Sequence, residues 1–176
     1  ELRELHPGLE TVTLIADIMK WHDENPVTHV PYDLTVESET FAMLPGDSFL
    51  WVLESNSGQV LQVAPDGTIT RIADLSEGHP VPTGFALSDD GGVYVGFLTP
   101  APYTDGSSKV VKVMPDGTVT DVWTGLTAVT GIAVGPDGTL YALEMATNTI
   151  DEAPFMLPGT GRIVRQTGPD SLAEVV

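Results

Sequence analysis

Cysteine is absent from the 176 residues, which excludes disulfides, thiolate metal sites and cysteine nucleophiles and leaves the redox compartment open. Basic residues are scarce. Seven Lys and Arg against 25 Asp and Glu give a net charge of −18, a surface that repels phosphate backbones and anionic membranes, so nucleic acid is not a partner. No apolar run reaches membrane-spanning length. No signal-like segment follows Glu1, and the chain reads as an interior piece of something longer or as a processed product. Gly-x-Ser-x-Gly, His-Glu-x-x-His and Gly-rich phosphate loops are also missing, so no hydrolase or nucleotide enzyme announces itself. What is present suits a folded domain: hydrophobic residues make up 41% and charged residues only 18%.

One turn recurs. It reads Pro65-Asp66-Gly67-Thr68, Pro115-Asp116-Gly117-Thr118 and Pro136-Asp137-Gly138-Thr139, with a looser copy at Asp89-Asp90-Gly91-Gly92. Pro presets the first central position, Asp bonds its own backbone two residues on, and Gly takes the left-handed conformation that closes a hairpin. Alternate copies are 47 to 50 residues apart. Two tight turns in such a period describe a four-stranded unit, the blade of a β-propeller.

The chain therefore divides into four parts. Residues 1–31 hold the last strand of a preceding blade (9–18), a short helix to about Asn25 and a loop. Residues 32–75 form a blade with strands over 33–37, 49–54, 59–63 and 69–75. Residues 76–126 form a second, with strands over 83–88, 93–98, 109–113 and 119–123. Residues 127–176 form a third, with strands over 131–134, 140–144, 162–166 and 172–176 and a long insert over 145–161. Residues 49–53 are apolar without alternation, as in a strand covered on both faces by neighbouring blades. Three blades and a spare strand make roughly half of a six-bladed ring. Only closure removes exposed blade faces, so the missing blades of the same protein or a second copy are expected as partners.

Three blocks carry a family resemblance. They are residues 12–18 (VTLIADI) with Glu24-Asn25-Pro26, residues 81–87 (VPTGFAL) with 93–99 (VYVGFLT), and residues 126–134 (LTAVTGIAV) with 136–144 (PDGTLYALE). Together they resemble the ScyD/ScyE family of NHL-like and SMP-30-like propellers. Residues 29–33 (HVPYD) depart from the more compact entry usual there. The resemblance implies a six-bladed secreted propeller, extracellular or periplasmic. It supplies no catalytic residues.

Candidates for chemistry gather where the links between second and third strands, and those between blades, share one rim around the channel. His22, His29 and His79 come towards it on connections, while Glu54, Asn56 and Glu144 sit where second strands end, and Tyr103 lies in the second blade's link. Binding through the rim is assigned to His29, His79, Glu54, Asn56, Tyr103 and Glu144. A divalent cation, calcium or zinc, would draw on Glu54, Asn56, Glu144 and His79. The plainer alternative is that these are loop histidines and solvated carboxylates. Asp151-Glu152 in the insert reads as an acid–base pair or as ordinary surface charge. Phe155, Met156 and Leu157 read as a plug over the channel, a partner contact or self-packing. Asp66, Asp90, Asp116 and Asp137 are turn formers, and Trp21, Trp51 and Trp123 are packing residues.

The expected function is a binding or scaffold module presenting the rim to a small molecule, a glycan or a protein. The alternatives are a metal-dependent lactonase-like hydrolase of SMP-30 type and a structural subunit of an extracellular assembly. Fold alone does not choose among them.

Overall fold

The computed structural model describes residues 13–32, 40–147, 150–168 and 174–176. Its architecture is three four-stranded antiparallel sheets, each a meander in chain order. Blade 1 holds β1 (Thr40–Pro45), β2 (Leu50–Glu54), β3 (Gln59–Val63) and β4 (Ile69–Asp74). Blade 2 holds β5 (Pro82–Leu87), β6 (Val93–Phe97), β7 (Ser108–Val113) and β8 (Val119–Leu126). Blade 3 holds β9 (Val129–Val134), β10 (Leu140–Glu144), β11 (Arg162–Arg165) and β12 (Glu174–Val175). Among the described residues a short helix, α1 (Ile18–Glu24), precedes them, with the Asp17 side chain accepting from the Lys20 N–H at its start.

The turns form as their composition dictates. Thr68, Thr118 and Thr139 donate their N–H groups to the carboxylates of Asp66, Asp116 and Asp137 at 2.9, 2.9 and 3.1 Å. Gly67, Gly117 and Gly138 take φ of 88°, 87° and 81°, values that an L side chain resists.

Blades stack face to face through apolar side chains. Trp51, Leu53, Val60 and Ala73 of blade 1 meet Val93, Val95, Phe97, Val111 and Val113 of blade 2. Val110, Trp123 and Leu126 of blade 2 meet Val129, Leu140, Ala142 and Val164 of blade 3. Trp51 and Trp123 are thus interblade core, and β2 is buried from Trp51 to Glu54. Gly84 and Gly96, cross-strand partners, give blade 3 room to nest: a Cβ at Gly96 would fall 2.6 Å from Val129 Cγ1 and 2.9 Å from Ile132 Cδ1. The first strands β1, β5 and β9 approach one another, which sets them innermost.

Two expectations meet a different arrangement. The strand expected over 33–37 lies outside the described residues, and it is β1 at Thr40–Pro45 that pairs with β2. Its hairpin is closed by Gly46 N–H donating to the Phe49 carbonyl at 2.8 Å, a turn with no Asp-Gly signature. The strand expected over 9–18 is also not seen: residues 13–17 belong to no strand, Ile18 opens α1, and 9–12 lie outside the described residues. Among the described residues no strand pairs with 13–17.

Candidate functional site

Glu54 and Glu144 end the second strands of blades 1 and 3 and are fully buried. The register of the first two strands makes them equivalent, with Phe97 at the same place in blade 2. Buried carboxylates need donors, and each has its own. Glu54 accepts from Ser57 N–H at 2.7 Å, from Asn56 N–H at 3.2 Å and from the Ser57 hydroxyl. Gln59 and Arg71 extend this network outward, Gln59 donating to the Ser57 hydroxyl and Arg71 to the Gln59 side-chain carbonyl, each at 2.6 Å. Glu144 accepts from Thr127 N–H at 2.6 Å and pairs with Arg162 at 2.5 Å. Both carboxylates therefore fasten the loops of their own blades.

The residues named for a cation do not converge. Among the described residues no three His, Asp or Glu side chains gather into a possible metal site. Glu144 already faces a guanidinium, an unsuitable neighbour for a second cation. Glu54, Asn56, Glu144 and His79 as a set do not fit calcium or zinc.

One pair of candidates does come together. His79 Nε2 lies 2.8 Å from Asn56 Oδ1, between the blade 1 link and the connection into blade 2. Asn56 is 6% exposed, and its Nδ2 is buried with no hydrogen-bond partner. Unpaired buried donors are uncommon and costly. The backbone alongside is strained. His79, Val81 and Thr99 have φ of 49°, 52° and 66°, and two of these are β-branched. The strained stretches are tied together, with Leu98 N–H donating to Val81 O at 2.9 Å and Thr99 N–H to Pro80 O at 3.0 Å. Thr99 Oγ1 is likewise buried without a partner. Asn56 beside His79, and Thr99 bonded through its N–H to Pro80, thus leave one amide donor and one hydroxyl uncommitted at the junction of blades 1 and 2. Thr99 was not a candidate from sequence; its signal is conformational and leaves no mark in composition.

The remaining candidates lie apart. His29 is exposed and donates its N–H to Ser76 Oγ at 3.0 Å. That loop is held by Asp74, which accepts from the Thr28 N–H and hydroxyl at 2.7 and 2.8 Å. Burial works to raise the Asp74 pKa, but hydrogen bonds from Ser76 and Thr28 outweigh it and bring it down to about 2. His22 is buried within α1, its Nε2 unpartnered. Tyr103 is half-buried in the link before β7. Asp151 and Glu152 are exposed, Phe155 and Met156 half-buried, and Thr147 and Thr160 close the base of the insert at 3.0 Å.

No protein-family model matches the chain. It is 34% identical over 115 residues, 64% of its length, to a virginiamycin B lyase from Nocardia farcinica, of which those residues are 37%. A streptogramin B lyase structure superposes with a TM-score of 0.56 at 16% identity, over 80% of this chain and 41% of that one. The calcium-binding protein regucalcin from Agrobacterium tumefaciens superposes with a TM-score of 0.55 at 19% identity, over 78% and 45%. The chain spans less than half the length of each. With three stacked meanders and these likenesses, the fold is a β-propeller, of which the chain forms three blades.

Proposed function

We propose that these blades belong to a secreted propeller, of the ScyD/ScyE kind, that binds a small polar ligand on the rim between blades 1 and 2. The observation that carries this reading is the uncommitted amide of buried Asn56, beside His79 and a strained backbone. An uncommitted N–H donor suits a carbonyl, carboxylate or sugar oxygen. Further blades, from a longer chain or a second copy, would complete the ring.

Calorimetry with a panel of sugar acids, sugar lactones and virginiamycin B tests the proposal. A ligand of the wild-type chain should lose tenfold or more in affinity in Asn56→Ala and in His79→Ala, and little in Asp90→Asn on the opposite side. Equal affinity in all variants, or no ligand in the panel, would reject the rim site.

A second reading rests on the identity to virginiamycin B lyase: an enzyme, of the lyase or lactonase-like kind. A metal-dependent form would take further ligands from blades beyond these three. Turnover of virginiamycin B by the complete ring, lost on adding chelator, would favour it.

A further inference from the structure

The two buried rim carboxylates meet their guanidinium groups differently. Glu144 pairs with Arg162 directly. From Glu54 the route to a guanidinium runs through two side chains, Ser57 and Gln59, to Arg71, and it ends outside the link it serves, on α1.

Arg71 lies on the outer strand β4. Its Nε donates to Gln59 Oε1 at 2.6 Å, its Nη1 to the Pro26 carbonyl at 3.2 Å and its Nη2 to the Asn25 carbonyl. The same group lies over the Trp21 ring, 5.3 Å from its centroid. The two carbonyls follow the last turn of α1, where a helix leaves acceptors without intrahelical donors. Ile18 and Trp21 in turn pack on Val52, Leu61 and Val63 of blade 1. One side chain therefore holds α1 down and grips Gln59 at the same time.

The direction of these bonds is forced. A guanidinium has donors only, so Gln59 must turn its carbonyl oxygen to Arg71 and its NH2 to Ser57 Oγ, at 2.6 Å. With that donor on its oxygen, Ser57 gives its own hydroxyl proton to Glu54. Every donor in the series thus points from the anchor of α1 towards the buried carboxylate. Glu54 and Gln59 are fully buried and Ser57 is 1% exposed, so a lost partner is not replaced from solvent. Without Arg71, Gln59 is free to turn its oxygen to Ser57, whose hydroxyl then donates to Gln59 instead of Glu54. The carboxylate loses a donor in the same link whose Asn56 and Ser57 N–H groups it anchors at 3.2 and 2.7 Å.

We infer that Arg71 and Gln59 are positioning residues: through them the seating of α1 on blade 1 sets the conformation of the link over 55–58, and so holds Asn56 against His79. The inference rests on the rim reading above and adds regulation to that site, with α1 as the controlling element.

Amide exchange followed by NMR on the 176-residue chain tests the coupling without a ligand. Arg71→Met keeps an unbranched stem beside Trp21 and removes every donor. Exchange at the Asn56 and Ser57 amides should quicken roughly tenfold or more. The Thr127 amide, held by Glu144 in another blade, should stay within about twofold. Gln59→Met should act in the same way, and Arg71→Lys, which can still donate to Gln59, should recover protection. Trp21→Leu loosens α1 from its own side and should quicken the same two amides. Amides unchanged in both Arg71→Met and Trp21→Leu would overturn the inference, as would equal quickening at Thr127, the mark of a general loss of stability. Calorimetry of Arg71→Met with the same sugar acids, sugar lactones and virginiamycin B separates the two readings. Unchanged amides, with affinity still lost in Asn56→Ala, would leave the rim site standing while this inference fell. Quickened amides with no compound bound by the wild type would reject the rim site and uphold the coupling of α1 to the link.

Discussion

On the turn side one Pro-Asp-Gly-Thr turn recurs unchanged in each blade; on the rim no two blades are alike. Asp66, Asp116 and Asp137 each accept from the N–H two residues on, and are exposed to water. On the rim Glu54 and Glu144 share a register position and full burial, yet one is satisfied within four residues by Ser57 and the other by Thr127 and Arg162, 17 and 18 residues away. Blade 2 has Phe97 there and no carboxylate. The turns solve a local backbone problem that every blade poses identically. The rim must satisfy loops of different lengths, so each blade has its own solution, and that is where a ligand can be told apart.

The largest test of this contrast is Glu144→Ala. It leaves the buried Thr127 N–H without its acceptor and frees the partly exposed Arg162 guanidinium to water, and should lower the unfolding free energy by about 2–3 kcal/mol, read from a urea midpoint. Losing no more than a turn substitution would erase the distinction. Within the turns, Gly67→Ala should cost clearly more than Gly138→Ala. Both adopt positive φ, worth about 1 kcal/mol, but only Gly67 also abuts the Ile15 carbonyl, whereas nothing lies near Gly138. Equal midpoints would show that residues 13–18 do not rest on blade 1 in solution.

The smallest effect is a titration on the rim. The Asp74 pKa of about 2 lies below its ordinary 3.8, so its contribution is complete above 3.8 and fades as the pH falls towards 2. Hydrogen exchange at the Thr28 amide should speed up over that window in the wild type. In Asp74→Asn it should be fast throughout; an unchanged amide would detach the loop from this carboxylate.

The same contrast decided what could be read beforehand. Asp-Gly turns declare themselves because their residues are their mechanism, and they located most strands to within two or three residues. β1 escaped because the turn after it, Pro45-Gly46-Asp47-Ser48, lacks the signature and Pro45 weakens the strand pattern. The rim could be named by position, as with Glu54, Glu144 and Asn56, but not by role. Asn56 and His79 are 23 residues apart in sequence, and only the loop conformation brings them within 2.8 Å. The left-handed backbone at Val81 and Thr99 contradicts what β-branched residues prefer and so could not have been foreseen.

The repeated turn also has an electrical outcome. Hydrogen bonds from Thr68, Thr118 and Thr139 hold Asp66, Asp116 and Asp137 below the ordinary carboxylate value, and Lys112 with Ser88 does the same for Asp90. As acid is added these four hold their charge below the ordinary carboxylate range, all on the side of the turns, while Asp74 does the same on the rim side. Acidification thus removes negative charge from the turn side last at these four positions, so a cationic surface such as an anion-exchange resin would favour approach by the turns with the rim towards solvent.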